Sequence, residues 1–371
     1  MLEVTENCTS CQACIQVCPR QCIAIDENYN ISTNNNECIN CSLCEKVCQL
    51  HNSPKIFVPF AIYAAHNKNE NELKQSSSGG IGALLLKNCL KNNFIVFSAI
   101  NNEDVIPVIE EISLSNLNNA IKSKYCFSDI NNSYLKVKDN LVNGVNVLFL
   151  ALPCQISGLK LFLRKEYDNL YCVDLFCHGA PSPIELYKHL SYKKKRKRKV
   201  VDVQFRDKKN SRWGDYCYSY KYSDGSTTSG PALCDFYFTN FIKGTFFRDC
   251  CYKCRYSSFE RCGDLSIGDY WHLETHKLDR NTNGISAVLV NTDKGHFLWD
   301  LIKDFCKIET GTKESVELAT HAVVKPVAKP SDYCVYSSQK LYNKKARAYE
   351  LTLRQIFRLL RYKLRFRTLR L

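Results

Sequence analysis

Apolar and polar residues follow one another along the chain in blocks that predict strands alternating with helices. Two apolar runs, residues 94–100 and 141–150, have the length of buried strands, and the second leads into a segment of helical period. Residues 172–176 form a further short strand, which ends in a turn before the helix that begins at Pro183. Repeated units of this kind predict a mixed α/β or α+β fold with functional side chains at the strand ends.

The first fifty residues show a different pattern, in which two short strands flank a polar turn. Residues 22–25 and 30–32 are the strands, and residues 26–28 form the turn of the hairpin they predict. Two cysteine runs of nearly equal spacing surround this hairpin. The first run comprises Cys8, Cys11, Cys14 and Cys18, and the second comprises Cys38, Cys41, Cys44 and Cys48.

Both runs have the C-x2-C-x2-C-x3-C spacing of a two-cluster ferredoxin. The first three cysteines of a run wrap round one 4Fe-4S cube, and the fourth reaches across to the other cube. We therefore expect one cluster on Cys8, Cys11, Cys14 and Cys48, and a second on Cys38, Cys41, Cys44 and Cys18. Zinc sites and disulfide frameworks are the alternatives, but zinc sites usually combine two well-separated C-x2-C pairs, and disulfide frameworks belong to small secreted chains. Cys22 lies outside the pattern and is expected to pack as a small apolar residue.

Length and cysteine content indicate more than a ferredoxin. A chain of 371 residues predicts a ferredoxin-like domain over residues 1–52, a linker over 53–75, a large domain over 76–335 and a tail over 336–371. The 22 cysteines, without a signal-peptide pattern in the first residues, predict a reducing, cytoplasmic setting. No window reaches the ~18 consecutive apolar residues that a membrane span requires.

The formal net charge of +14 is concentrated in two segments. Residues 193–199 are all basic, and residues 340–371 hold eleven basic residues against the single acid Glu350. Because the rest of the chain is nearly neutral, a general nucleic-acid-binding surface is not expected. The run 193–199 is typical of a solvated loop.

The tail has the pattern of a basic amphipathic helix. Its apolar positions are Leu353, Ile356, Phe357, Leu360 and Leu364. Such a helix either docks its apolar side on the protein or attaches to an anionic membrane surface or an acidic partner.

Two kinds of turn between predicted elements contain residues that could bind a cofactor or a metal. Ser76, Ser77, Ser78, Gly79 and Gly80 precede an apolar helix. Such a loop leaves backbone N–H groups open to an anion such as a nucleotide phosphate, although an ordinary serine N-cap is the alternative. Cys154 and Cys177 stand at two strand ends, and Cys251 with Cys254 forms half of a metal site that the first two are placed to complete.

Several segments occur in a specific order and spacing: residues 76–80 (SSSGG), 123–125 (SKY), 152–160 (LPCQISGLK), 174–179 (DLFCHG), 248–254 (RDCCYKC), 263–271 (GDLSIGDYW), 284–286 (GIS) and 291–295 (NTDKG). Together they resemble the beta subunits of coenzyme F420 hydrogenases and dehydrogenases, over about residues 56–301. One departure is His272, where many members of that family have glycine.

The resemblance implies a bound flavin adenine dinucleotide (FAD) and a third 4Fe-4S cluster in the large domain. The flavin would contact Ser76, Ser77, Ser78, Gly79, Gly80, Lys124 and Tyr125, and the cluster would be held by Cys154, Cys177, Cys251 and Cys254. Cys250 and Cys262 are second choices as ligands. Lys124, His178 and Asp269 are candidates to tune the flavin, with structural hydrogen bonds as the alternative for each.

The implied function is an iron–sulfur flavoprotein oxidoreductase. It would pass electrons between a two-electron substrate at the flavin and a one-electron, ferredoxin-like protein partner or redox subunit. The main alternative is a non-catalytic electron-relay subunit that docks a separate catalytic chain. A metal-stabilised structural or nucleic-acid-binding protein is a weaker third class, which zinc without sulfide would support.

Overall fold

The computed structural model describes residues 3–194, 198–271, 278, 283–349 and 353–368. His272 and part of the basic run, residues 195–197, lie outside the described residues. The N-terminal part contains two short helices and one hairpin, namely α1 (Ala13–Val17), β1 (Ile23–Ile25), β2 (Ile31–Thr33) and α2 (Leu43–Lys46).

The N-terminal hairpin is confirmed. Its two strands pair antiparallel, with Ile25 opposite Ile31. The Asp26 carboxylate closes the turn by accepting the backbone N–H groups of Asn28 and Asn30, each at 2.8 Å. A short acidic side chain at the first turn position is a common way to satisfy these two donors.

The rest of the chain is built on a sheet of eight strands. They are β3 (Ala61–Asn67), β4 (Ile95–Asn101), β5 (Pro107–Ile112), β6 (Val147–Ala151), β7 (Leu170–Leu175), β11 (Leu265–Asp269), β12 (Ser286–Val290) and β13 (Cys306–Thr310), in the order β13-β3-β12-β11-β7-β6-β4-β5. The four central strands, β11, β7, β6 and β4, are parallel to one another, whereas the outer pairs are antiparallel. The predicted mixed α/β class with a large mixed sheet is therefore confirmed.

Helices cover both faces of this sheet, which explains the continuous apolar runs of its central strands. All five residues of β6 are buried, and they alternate between two cores: Leu148 and Leu150 face one, and Val147, Phe149 and Ala151 face the other. Helices α4 (Ile81–Lys91) and α9 (Asp293–Asp300) form the first core with the sheet, and α5 (Ser133–Val142) and α6 (Pro153–Leu163) form the second.

A second sheet of three antiparallel strands stands beside the first. It comprises β8 (Val200–Arg212), β9 (Asp215–Tyr222) and β10 (Thr227–Pro231). An aromatic core joins it to helices α7 (Pro183–Lys193), α8 (Phe236–Lys243) and α11 (Gln339–Arg347). The remaining helices are α3 (Glu70–Gln75), α10 (Lys313–Ala319) and α12 (Leu353–Thr368). Among the described residues, no helix is both long and apolar enough to cross a bilayer.

Two sequence predictions need correction. The segment assigned to a linker, residues 53–75, contains strand β3 and helix α3, and β3 pairs with both β12 and β13 inside the main sheet. The strand predicted over residues 141–150 is shorter, because α5 runs to Val142 and a turn at Gly144, with φ of 75°, precedes β6. In both cases apolar residues that pack in the core were assigned to the wrong element.

Candidate functional site

The two cysteine runs of the N-terminal part fold into nearly identical loops. Ser10 and Gln12 in the first loop, and Asn40 and Ser42 in the second, adopt left-handed backbone angles, with φ between 52° and 62°. The N–H groups of Ser10 and Asn40 each point to the sulfur of the cysteine two residues earlier, at 3.4 Å. The repeat in the sequence is therefore also a repeat of backbone geometry.

The last cysteine of the second run lies beside the first run. Burial raises the pKa of Cys14, and the neighbouring thiols of Cys11, Cys8 and Cys48 raise it further. Burial also raises the pKa of Cys8 to about 11, with additions from Cys11 and Cys48. Cys44 of the second run also acts on Cys14 and Cys48, so the thiols of both runs lie near one another, and the crossed ligand assignment stays a prediction.

The other four cysteines of the two runs border a small cavity of their own. Its lining includes Cys18, Cys38, Cys41 and Cys44. Cys22 is buried, and its sulfur lies 3.4 Å from that of Cys18, so it packs against this second group.

A larger cavity, which we call the cysteine cavity, lies between the N-terminal part and the main sheet. It has a volume of about 480 Å³, and its lining includes Cys154, Cys177, Cys251 and Cys254. Cys154 is in the first turn of α6, after β6, and Cys177 follows β7, so two paired strands bring these thiols to one edge of the sheet. Cys250 also borders the cavity. Cys262 does not, because its thiol is buried against the Pro153 carbonyl at 3.3 Å.

The thiols that line the cysteine cavity enclose an open volume and do not converge on a single point. No three of the described His, Cys, Asp and Glu side chains are arranged to hold a single metal ion. A four-iron cube differs from a single ion because each thiolate bonds a different corner, so its ligands enclose the volume of the cube. Cysteines that line a cavity are the donor set that such a cluster needs.

Arg248 is a residue of the cysteine cavity that the sequence did not single out. Its guanidinium donates to the Thr9 carbonyl at 2.6 Å and lies 3.7 Å from the centre of the Phe127 ring. Burial raises the pKa of Cys154, and that of Cys177 to about 12, whereas the positive charge of Arg248 acts to lower both. Arg248 thus favours the thiolate form that metal binding requires.

A buried polar bridge connects the N-terminal part to the cysteine cavity. Gln49, next to Cys48 in the chain, donates its side-chain N–H to the Cys154 carbonyl at 3.1 Å. The Tyr256 hydroxyl lies 2.6 Å from both the Gln49 Oε1 and the Ser157 Oγ. The Gln49–Tyr256 pair therefore links the N-terminal cysteine runs to the cysteine cavity, in addition to the Arg248–Thr9 hydrogen bond.

A cavity of about 620 Å³ opens on the other side of the Cys177 loop. We call it the basic cavity, because its lining includes Lys122, Lys124, Arg206 and Arg358. It shares the residues Leu152, Cys177, His178, Gly179 and Ala180 with the cysteine cavity. The two cavities are thus separated by a single stretch of chain after β7, with Leu152 beside it.

Lys124 and Tyr125 lie together in the wall of the basic cavity. The Lys124 ammonium donates to the carbonyls of Asn119 at 2.5 Å and Lys122 at 3.0 Å. Enclosure by the protein lowers the pKa of Lys124 to about 8; Asp202 acts in the opposite direction and Lys122 adds to the lowering. An amine of this pKa can hold or release a proton near neutral pH.

Asp269 does not stand free in the basic cavity. Arg206 binds its carboxylate with two hydrogen bonds, of 2.6 and 2.8 Å, and also donates to the Tyr216 hydroxyl. The Arg206 guanidinium lies 4.2 Å from the Tyr216 ring centre, and Trp213 stacks on Trp271 at 4.5 Å. The Asp269 carboxylate thus holds the Arg206 guanidinium in one orientation, and the role at the flavin that the sequence allowed for Asp269 stays a prediction.

His178 lies in the wall that the two cavities share. Its Nε2 is 3.2 Å from the Ile242 carbonyl, so this nitrogen carries the hydrogen, and its ring meets the edge of Phe247 at 5.5 Å. Burial lowers the pKa of His178. The imidazole is therefore neutral at pH 7, and its Nδ1 is left as an acceptor.

The serine–glycine loop borders a third cavity, of about 200 Å³, which adjoins the basic cavity. Ser76 and Ser78 donate to the carbonyls of Glu72 and Ile285, and Ser77 accepts the backbone N–H of Ser123. The hydroxyls therefore fix the loop. Gly80, Ile81, Gly82 and Ala83 at the start of α4 line this cavity, and the first N–H groups of a helix have no acceptor within it.

Glycine is required in this loop for two reasons. A Cβ at Gly79 would lie 2.4 Å from the Ala65 carbonyl oxygen, and Gly80 has a φ of 82°.

Beneath the loop, buried Lys208 donates to the carbonyls of Leu73, Ser78 and Asn283, the first two at 2.8 and 3.1 Å. The sequence did not reveal this lysine, because its partners are far from it along the chain.

The comparisons with known proteins concern mainly the large domain. The family model for the C-terminal part of the beta subunit of coenzyme F420 hydrogenase/dehydrogenase matches residues 144–316. The F420-reducing NiFe hydrogenase complex from Methanosarcina barkeri contains a similar chain, with 18% identity and a TM-score of 0.45, over 79% of this chain and 89% of that one. No curated protein matches the chain. The family model confirms the resemblance seen in the motifs over the segment 144–316, which is similar to the C-terminal part of coenzyme F420 hydrogenase and dehydrogenase beta subunits.

Proposed function

We propose that the chain is a flavin-dependent iron–sulfur oxidoreductase that connects a two-electron substrate to a one-electron protein partner. The family of the segment 144–316 supports an oxidoreductase role. The observation that carries the finer proposal is the shared wall, residues 177–180 and Leu152, between a cavity lined by five cysteines and a large basic cavity. Two redox groups bound in these cavities would be neighbours.

Three sets of cysteines would hold 4Fe-4S clusters. The first set is Cys8, Cys11, Cys14 and Cys48, the second is Cys18, Cys38, Cys41 and Cys44, and the third is Cys154, Cys177, Cys251 and Cys254. Arg248 favours the charged form of the third set, and the Gln49–Tyr256 bridge keeps the first set next to the third. Cys41 of the second set is exposed, so we assign the contact with the protein partner to this set.

The basic cavity and the adjoining serine–glycine cavity would hold FAD. A flavin supplies two-electron chemistry and passes single electrons to a cluster. The N–H groups at the start of α4 would bind phosphate oxygens, since the loop from Ser76 to Gly80 is already fixed by its own hydrogen bonds. Lys124 would donate a hydrogen bond or a proton at the ring, and Tyr125 would shape the wall, because its ring packs edge-on against Phe241 at 4.8 Å.

His178 and Asp269 would act in different ways. The neutral imidazole of His178, between the two cavities, would offer its Nδ1 as an acceptor. Asp269 would hold Arg206 in place so that its guanidinium presents a fixed positive charge to the cavity. We propose no proton transfer by either residue.

Anaerobic purification with quantification of metal, sulfide and flavin tests the proposal. Three cubes of four irons predict about twelve iron and about twelve sulfide per chain, together with about one FAD. Clusters without flavin would favour the relay alternative, in which a separate chain binds the substrate. Zinc without sulfide would contradict both forms of the proposal.

We also propose a setting and outer partners for the chain. We place the chain in the cytoplasm, with a redox protein at the second cysteine set. Helix α12 leaves Ile356 and Leu360 exposed beside Arg361, so a peripheral contact with an anionic membrane is also proposed. Co-sedimentation with anionic liposomes, compared with a truncation after Tyr349 that keeps the buried Tyr342, tests this contact; equal sedimentation of both chains would exclude it.

A further inference from the structure

Arg261 is a buried residue that lines neither of the two large cavities but is hydrogen-bonded to the walls of both. Its guanidinium donates to the Leu175 carbonyl at 3.2 Å and to the Tyr256 carbonyl at 3.1 Å. Leu175 lines the basic cavity, and Tyr256 lines the cysteine cavity. One side chain outside the cavities therefore connects the two linings.

Each of the five N–H groups of the Arg261 guanidinium has an acceptor. Nη1 donates to the carbonyls of Tyr256 and Ser258, both at 3.1 Å. Nε and Nη2 both donate to the Asp174 Oδ1, Nε at 2.9 Å, and Nη2 also donates to the Leu175 carbonyl. Because a guanidinium is planar and its donors point in fixed directions, the segments bound on its two sides cannot move independently.

These acceptors belong to two segments that carry cysteines of the third set. The carbonyls bound by Nη1 come two and four residues after Cys254, and the same segment carries Cys251. The acceptors bound by Nε and Nη2 come three and two residues before Cys177. The Arg261 side chain thus bridges the Cys254 segment and the Cys177 segment.

A second contact joins the same two segments on the other side of their cysteines. The backbone N–H of Arg248, which precedes Cys251, donates to the carbonyl of Ala180, which follows Cys177, at 3.3 Å. The cysteines of both segments therefore lie between two anchoring contacts. Residues that hold the ligands of a metal site in place contribute to its affinity for the metal.

The anchor at Arg261 is itself fixed to the chain. Asp174, its ion-pair partner, is fully buried, and its second oxygen, Oδ2, accepts the backbone N–H of Gly263 at 2.8 Å. A Cβ at Gly263 would lie 2.8 Å from the same oxygen, so the carboxylate has no free space on that side. The ion pair is thus held rigidly between β7 and the segment that precedes β11.

We propose that Arg261 is a positioning residue for the third cluster, which holds Cys254 and Cys177 at the separation that a four-iron cube requires. This inference rests on the proposed function, because it takes the third set of cysteines as the ligands of one cluster. Arg261 itself would not touch the cluster, since it does not line the cysteine cavity.

Release of iron from the anaerobically purified full-length chain to bathophenanthroline disulfonate tests the inference. The variant is Arg261→Lys, which keeps a positive charge beside Asp174. The lysine ammonium has only three donors and no planar fork, so it cannot serve the acceptors on both sides. Lys188→Met is the matched control, because it removes the buried ion pair with Glu185 in α7, and neither residue lines a large cavity.

We expect Arg261→Lys to release about four of about twelve irons at least about tenfold faster than the unaltered chain, since loss of a residue that holds a ligand typically weakens metal binding by that factor or more. The other irons should be released at the unaltered rate. Lys188→Met should release all of its iron as the unaltered chain does. Equal release in Arg261→Lys and the unaltered chain, faster release of all irons as a general loss of the fold would produce, or an equal acceleration in Lys188→Met would overturn the inference.

The iron content of the unaltered chain and hydrogen exchange separate this inference from the proposed function. About eight irons in the unaltered chain would refute the third cluster and with it the proposed function. Exchange of the amides of residues 255–260 would then still show whether Arg261 fixes this segment, because they should exchange faster in Arg261→Lys. About twelve irons, with unchanged release and unchanged exchange in Arg261→Lys, would refute the positioning role alone.

Discussion

Gly158 of helix α6 is a position at which the N-terminal part packs closely on the large domain. A Cβ at Gly158 would lie 2.8 Å from the Cβ of Cys11, 3.0 Å from the Cys11 sulfur and 2.8 Å from the Tyr134 hydroxyl. These distances are well below ordinary carbon contacts of about 3.5–4.0 Å. Replacement of Gly158 by Ala should therefore push Cys11, a ligand of the first proposed cluster, away from α6.

The size of the effect follows from two opposing contributions. Alanine is favoured over glycine inside a helix by about 0.8–1 kcal/mol. Overpacking of a close contact costs about 1–3 kcal/mol, and Tyr134 has little room to move because its hydroxyl is held by the Gln155 carbonyl at 2.7 Å. The central values of the two contributions leave a net loss of about 1 kcal/mol, which corresponds to a local opening about five times more frequent.

Hydrogen exchange of the amides in α1 measures this opening directly. Gly158→Ala should lower the protection of α1 by that factor and leave the amides of β6 unchanged. Gly82→Ala in α4 is the control, since its added Cβ meets only the Ile267 Cδ1 at 3.4 Å. Unchanged or increased protection of α1 in Gly158→Ala would refute the steric argument.

Three further changes test other parts of the site. Tyr256→Phe leaves the Gln49 side chain without its buried partner, so the free energy of unfolding, measured by thermal unfolding, should fall by about 1–3 kcal/mol. An unchanged melting temperature would contradict a stabilising role of the bridge. Asp269→Asn breaks the paired contact with Arg206. The free energy of unfolding, measured with urea, should fall by about 2–3 kcal/mol, which is less than for a fully buried ion pair. A free energy of unfolding unchanged within error would mean that solvent screens the pair. Because the pKa of Lys124 is lowered to about 8 in the folded chain, the unfolded chain binds more protons above pH 8, so the free energy of unfolding should rise between pH 8 and 10. This rise should be smaller in Lys124→Met, and equal slopes in the two chains would contradict the lowered pKa.

The sequence was informative where chemistry imposes a spacing. The left-handed turns at Ser10, Gln12, Asn40 and Ser42 follow from the need to place three cysteines within seven residues, so the loops could be anticipated from spacing alone. The turns at Cys154 and Cys177 could be anticipated because a buried apolar run ends just before each of them.

The sequence was less informative where partners are distant along the chain. Arg206 and Asp269 are 63 residues apart, and Gln49 and Tyr256 are 207 apart. No local pattern marks such pairs, and their chemistry emerges only when strands and loops meet. Strand β3 was missed for a related reason, since prolines and polar residues flank a short run whose pairing partners come more than 200 residues later.

Iron content of single cysteine variants tests the central claim most directly. Cys251→Ser should reduce the iron of the anaerobically purified chain by about four of about twelve atoms, because it removes a ligand of the cluster beside the basic cavity. Cys262→Ser is the control, since this buried thiol does not line the cysteine cavity, and it should keep all of the iron. Equal iron in Cys251→Ser and the unaltered chain would contradict a cluster at the shared wall.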